Sequence, residues 1–234
     1  VTALDLSRPI LVLEAATAAG SVALLLPGGV VRETAVVMGA GTADVLFPAM
    51  ASLLREGGLA PADVGAVVCG SGPGSFTSLR IAAALAKGLA TGVGCPLYAV
   101  SSLALAAAGL PHDAPAGRYL VHADALRGER YALQIERSAD GRVRIAGLLT
   151  RGPIEALLAA STEARRIAVG GALPTLPSAH LVTPRAGAVA SVDGEWRHQA
   201  VDLAAWEPAY GRLAEAQVKW EETHGRMLDT AAGA

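Results

Sequence analysis

Aromatic side chains are scarce: Phe, Trp and Tyr together supply only 4% of the 234 residues. Little is left for a platform on which nucleic-acid bases could stack. Charge is also sparse, at 17% Asp, Glu, Lys and Arg, with 19 basic against 21 acidic side chains. A net charge of -2 provides no basic field to hold phosphates by counterion release, which argues against autonomous binding of nucleic acid. Only two cysteines occur, Cys69 and Cys95, far too widely spaced for a CxxC unit. They read as buried free thiols of a reducing, cytoplasmic protein. No stretch reaches about 18 uninterrupted apolar residues, so the mean hydropathy of +0.42 reflects a core or a buried interface, with no membrane partner expected. The apolar run after Arg8 is too brief for the core of a signal peptide.

What is abundant is small and aliphatic. Hydrophobic residues make up 52% of the chain and glycine contributes 27 positions, enough for a sizeable Ala, Val and Leu core with close backbone approach. Short apolar runs at 10–14 and 21–26, a Pro27-Gly28-Gly29 turn and a third run at 30–37 predict an antiparallel start. A helix follows over 43–56, capped by Thr42 and bent near Pro48, with Val45, Leu46, Ala49, Met50, Leu53 and Leu54 along one stripe. A buried strand at 64–69, a Gly-rich loop, a helix over 76–91 and a strand at 96–100 complete the order β-β-β-α-β-α-β. After a small helix at 101–109 the opening is repeated, with strands at 118–124, 130–137 and 142–149. Helical spacing at 153–160, strands at 166–169 and near 180–183, and a polar helix over 213–228 close the chain. Residues 170–190 carry no clear pattern.

The sharpest local feature is the loop Gly72-Pro73-Gly74-Ser75-Phe76-Thr77, set between a buried strand and a helix that continues to Arg80. Free N–H groups at such a place attract anions. A P-loop, however, needs Gly-Lys-Ser/Thr to reach the terminal phosphate, and here the lysine is missing, so the loop reads first as a structural turn. The helix behind it is apolar nearly all round, with Leu79, Ala82, Ala83, Ala86 and Leu89 among its small and aliphatic positions. Such a helix needs cover on more than the face that meets its own sheet. Either it is internal to one fold or, with the stripe on 43–56, it makes a two-helix docking surface. No two of the five histidines lie three or four residues apart, no GxSxG elbow is present, and Ser75 has no recognisable base. No metal, no cofactor and no catalytic residue is expected. His122 and Asp124, two apart on a strand, read as ordinary strand-end polar residues.

These pieces resemble the TsaB (YeaZ) family of bacterial tRNA threonylcarbamoyladenosine biosynthesis proteins. The matching segments are ILVLEAAT, SVALLL, LFPAMASLLREGGL, GSGPGSFTSLRIAAALAKGLA, VSSLALAA, HADALRGERYAL and EPAYGR, spread from about residue 10 to residue 212. The resemblance implies an α/β, actin-like (ASKHA) fold of two RNase H-like lobes, here 1–103 with the partner-binding helices and 104–234. It implies a non-catalytic scaffold that pairs with the transferase TsaD, or with a second copy of itself when alone, through its first two helices. A TsaE-like ATPase joins that pair, and tRNA is met only through the complex. Glu14 stands where relatives often carry Asp, Ser78 where they carry Gly, and the segment before Val45 lacks their His. The competing readings are an ATP-dependent kinase of the same fold and a peptidase. The kinase would need a second Gly-rich turn, where the chain has Ala125-Leu126-Arg127-Gly128-Glu129.

Overall fold

The computed structural model describes residues 3–38, 45–125, 128–161, 164–170 and 179–210, together with Thr223. The Thr42 cap, the first two residues of the helix expected over 43–56 and nearly all of the helix expected over 213–228 lie outside them.

The first sheet holds β1 (Ile10–Glu14), β2 (Ala19–Leu26), β3 (Val30–Val37), β4 (Ala66–Gly70) and β5 (Leu97–Val100), in the spatial order β3-β2-β1-β4-β5. β1, β2 and β3 pair antiparallel, while β4 pairs parallel to β1 and β5 parallel to β4. The β2–β3 turn is tight because Gly28 and Gly29 both take φ of 84°, a region that costs a side-chain-bearing residue energy. Strand alternation then divides the sheet. Leu11, Leu13, Val22 and Leu24 face α1 (Leu46–Glu56) and α2 (Phe76–Val93), and Ile10, Val12 and Ala23 face the opposite way. Pro48 occupies the third position of α1, where its missing N–H has no intrahelical acceptor to serve. α2 ends at Gly94, whose φ of 75° turns the chain out of the helix.

On the opposite face lies α3 (Ser102–Ala108), whose residues 102–107 are all buried. Leu103, Ala104, Leu105, Ala106 and Ala107 share one apolar cluster with Tyr98 and Val100 of the first sheet and with Tyr119, Val121, Leu133 and Ile135 of the second. The internal, sandwiched helix is therefore α3. The second sheet contains β6 (Gly117–Asp124), β7 (Glu129–Arg137), β8 (Val143–Ile145), β9 (Thr150–Pro153), β10 (Arg165–Val169), β11 (His180–Val182) and β12 (Val192–Asp193), with α4 (Ile154–Ala159) between β9 and β10. Its stretch β8-β7-β6-β10-β11 repeats the order of the first sheet and each of its parallel and antiparallel pairings. The duplication anticipated from the turn signals is thus a duplication of topology.

Two corrections belong here. The strand expected over 142–149 forms only near its start, as β8 opposite Ile135–Arg137, and the chain returns to the same edge of β7 beyond the expected range, as β9 opposite Glu129–Ala132, with the register stepped by two residues. The surplus around Gly147 bulges outward and leaves Leu148 88% exposed. The end of the patternless stretch 170–190 enters the first of two short 3-10 turns, Ala186–Ser191 and Glu195–His198, on either side of β12. They are held by Arg197, whose guanidinium donates to the carbonyls of Val189, Ala190 and Val192. Side-chain capping of main-chain carbonyls leaves no periodicity to read.

Because the cluster around α3 draws on both sheets, the two should unfold as one unit. Leu105→Ala, at a fully buried position, should cost about 2–5 kcal/mol. Calorimetry of this variant should still show a single transition, and two separated transitions would contradict a shared core.

Candidate functional site

The end of β1 carries a carboxylate with no exposed surface, Glu14. Its Oε1 accepts the N–H of Ala16 at 2.6 Å and its Oε2 accepts the hydroxyl of Ser102 at 2.8 Å. Ser102 Oγ accepts in turn the N–H of Gly72 at 3.1 Å, and the Ser102 N–H donates to the Gly72 carbonyl at 3.0 Å. One acid therefore ties β1, the Gly-rich loop and the start of α3 together. Only glycine fits beside it, since a Cβ on Gly70 would lie 1.9 Å from Glu14 Oε2. Burial pushes the Glu14 carboxyl up to about 7 against the pull of its hydrogen bonds. Burial, reinforced by the nearby Glu14 carboxyl, also drives the Cys69 thiol upward, away from the reactive thiolate.

The loop after β4 is clamped from three further sides. The Ser71 N–H donates to Val100 and the Ser75 N–H to Ala16, at 2.7 and 2.8 Å, and Ala209 N–H donates back to the Ser71 carbonyl at 2.8 Å. Gly72, with φ of 87°, precedes a cis bond to Pro73. A Cβ on Gly74 would meet the Ala16 carbonyl oxygen at 2.1 Å. Phe76 stacks on Tyr210 with ring centroids 4.7 Å apart, and Arg80 lies 5.1 Å over the Phe76 ring. Thr77 is exposed. Ser75 Oγ meets Ser78 Oγ at 3.0 Å rather than a base. A phosphate cradle needs unengaged N–H groups, and those of Ser71, Gly72 and Ser75 are all taken by the protein itself.

Across the cleft stands the end of β6. Buried His122 accepts from Arg130 at Nδ1, 3.0 Å away, so its proton resides on Nε2, which has no partner among the described residues. Burial, with the charges of Arg130 and Arg166, lowers this imidazole to about 4. Asp124, on the same face of β6, lies 3.9 Å from Arg130 and is exposed. A cavity of about 240 Å3 between the lobes is lined by Thr17 and Ser75 on one side and by Asp124 and Tyr131 on the other. Asp124 is its only charged lining group among the described residues, which disfavours a phosphate there.

The docking stripe expected on the two helices needs correction. Leu46, Met50 and Leu53 of α1 and Leu79, Ala82, Ala83 and Ala86 of α2 are buried inside the chain. All of them except Leu79 and Ala83 belong to the single core cluster shared by the helices and the first sheet. A helix lying on a sheet turns its larger apolar side chains inward, so the stripe marks the face that is already used. Val45, Ala49 and Leu89 are half-buried at its rim. The face left outward carries Phe47, 57% exposed, with Ala51 on α1 and Ala84 and Gly88 on α2, flanked by half-buried Ile81 and Leu85. Its signal in the sequence was the one large aromatic lying off the stripe of the first helix. Gly70 and Ser102 stand in two of the segments that carry the family resemblance, but nothing in the sequence announces their contact with Glu14.

Fold and site together define a two-lobed, actin-like protein whose cleft acid holds its own loop in place and whose paired helices present a small-residue face outward. The family model described as TsaD, tRNA N6-adenosine threonylcarbamoyltransferase, matches residues 23–181. The tRNA threonylcarbamoyladenosine biosynthesis protein TsaB of Bacillus subtilis is 32% identical over 219 residues, 86% of this chain and 93% of that one. The TsaB protein of Escherichia coli is 36% identical over 132 residues, 56% of this chain and 57% of its own length. Among solved structures, an uncharacterized Pseudomonas aeruginosa protein with similarity to peptidase YeaZ superposes with a TM-score of 0.74 at 31% identity, covering 88% of this chain and all of that one. The chain belongs to the TsaB family.

The two buried titrating groups generate a pH prediction. Between 4.5, the ordinary value for Glu, and 6.5, that for His, the folded chain holds one more proton than the unfolded chain at Glu14 and one fewer at His122. Stability falls as pH rises through this window on account of Glu14, and falls as pH drops on account of His122, so the two slopes cancel. Denaturant melts of the unaltered chain should be nearly flat there. Glu14→Gln should expose the His122 slope, losing up to roughly 1.4 kcal/mol per pH unit as pH drops below 6.5. His122→Gln should lose stability in the opposite direction, as pH rises towards 7. Slopes of the same sign in both variants would contradict the assignment.

Proposed function

We propose that this chain is an accessory subunit in the biosynthesis of tRNA threonylcarbamoyladenosine and that it works by contact, without chemistry of its own. Its partner is a TsaD-like transferase, bound through the outward face of α1 and α2. A TsaE-like ATPase joins the pair, tRNA is met through the complex, and a second copy of the chain takes the same face when the transferase is absent. The docking helices belong to a first lobe, residues 1–103, and residues 104–234 form the second.

The observation that carries this reading is the character of that outward face. Ala84 and Gly88 lie one turn apart on α2, a Cβ on Gly88 would meet nothing within 4 Å, and Phe47 stands exposed on α1. Small residues one turn apart let another helix approach closely, and an exposed aromatic supplies an anchor. The names of the Bacillus and Escherichia relatives support the pathway. The kinase reading finds its phosphate donors already bonded at Ser71, Gly72 and Ser75, and an acid, Asp124, across the cleft.

Substitutions on the two sides of α2 test the reading. Gly88→Arg and Ala84→Arg place a charge on an exposed surface, so the monomer should stay folded, and Gly88→Arg should gain helix propensity. Both should weaken pairing with a TsaD-type transferase by about 100-fold or more, read by calorimetry, because the charge would be desolvated in the complex. Ala83→Arg and Ala86→Arg should instead destabilise the monomer, since both side chains are buried. Pairing at unaltered affinity by folded Gly88→Arg and Ala84→Arg proteins would contradict the proposal.

A further inference from the structure

At the opposite end of β1 from Glu14 lies a second cavity, of about 410 Å3, where the N-terminal segment, the β2–β3 turn and the 3-10 turns around β12 meet. Its volume falls within the roughly 300–1,000 Å3 of small-molecule sites. Most of the wall is aliphatic, with Leu6, Ile10, Leu25, Val31 and Val189 facing it, and three polar groups break that wall: Arg142, Trp196 and Arg197.

Each arginine has donors to spare. Arg142 gives Nε to Asp193 at 2.7 Å and Nη2 to the same carboxylate, while Arg197 gives Nε and Nη2 to main-chain carbonyls. Neither Nη1 has an acceptor among the described residues, and the buried indole Nε1 of Trp196 has none either. The Arg197 guanidinium lies 5.1 Å over the Trp196 ring. Asp193 pairs with Arg142, on which Asp140 also acts, whereas among the described residues every side-chain hydrogen bond of Arg197 goes to an uncharged main-chain carbonyl. Burial first, and then the neighbouring Arg142, hold Arg197 below the ordinary arginine value against the pull of Asp193. An arginine with no bonded carboxylate, unused donors and aliphatic walls together select a ligand with a compact anionic head and a hydrocarbon body. An inorganic phosphate would leave the apolar wall unused.

We propose that this cavity is a binding site for a small amphipathic monocarboxylate, with its hydrocarbon body against Ile10, Leu25 and Val31 and its carboxylate on the spare N–H groups of Arg142 and Arg197. The site is separate from the outward face of α1 and α2 and holds whatever that face binds.

Octanoate is the probe, titrated into the full chain by calorimetry with Trp196 fluorescence as a second readout, and 1-octanol as the uncharged counterpart. Octanoate should bind one to one with a Kd below about 1 mM, and 1-octanol at least about tenfold more weakly. Arg142→Gln should cut octanoate affinity about tenfold or more and leave 1-octanol unchanged. Val31→Phe, at a position 39% exposed and therefore tolerant of a larger side chain, should fill the cavity and abolish both. Equal affinities for octanoate and 1-octanol, octanoate binding that survives Val31→Phe, or no octanoate binding to the unaltered chain would each overturn the proposal.

Discussion

The buried carboxylate of Glu14 is the constraint on which the rest of the cleft depends. A carboxyl group removed from water is costly unless its oxygens are hydrogen-bonded, and here the donors come from three separate parts of the chain: Ala16 after β1, Ser102 at the start of α3 and, through Ser102, Gly72. Gly70 must be glycine to leave room for the side chain. In satisfying one acid the fold thereby fixes the Gly-rich loop, the entry to α2 and the position of the helix shared by both sheets. The Gly72 N–H is one of the loop donors taken up in this set of bonds, which holds the loop as a rigid turn.

A second economy runs through the small residues. With so few aromatics, close packing is reached by alanine and glycine, and α2 shows both uses of them. Ala82, Ala86 and Ala90 let the helix settle on its own sheet, and Ala84 and Gly88 leave its outward side nearly flat. Several of the aromatics that remain sit at joints. Phe76 and Tyr210 fasten the segment after Pro208 to the loop, while Tyr98 and Tyr119 fill the cluster between the sheets.

The order of elements in the first sheet was legible because it rests on local signals: Pro27-Gly28-Gly29 and the Gly-rich loop punctuate runs whose period is plain. The repeat followed from that order. What could not be read depends on strand-edge pairing and side-chain reach, neither of which leaves a period in the sequence. The bulge between β8 and β9 is decided by pairing to β7, and the turns at 186–198 by the reach of Arg197. The apolar stripes of the first two helices carry the same lesson. Periodicity identifies the apolar face of a helix but not which neighbour covers it, and on α1 and α2 the sheet of the same chain does so. Glu14 was recognisable as an acid ending a strand in an actin-like first lobe. That Ser102, far away in sequence, turns it into a structural clasp was not.

On the proposal made above, the cleft acid supports structure and a TsaD-like partner is acted on by contact. The most direct measurement is threonylcarbamoyl transfer to tRNA by a TsaD-type transferase with a TsaE-type ATPase, while Glu14→Gln protein is titrated in. Because glutamine can keep a hydrogen bond to Ser102 without carrying charge, the rate should climb to the same plateau, at the same near-stoichiometric ratio, as with the unaltered chain. Loss of that plateau in a Glu14→Gln protein that folds and pairs normally would contradict the account and assign the carboxylate a part in the chemistry.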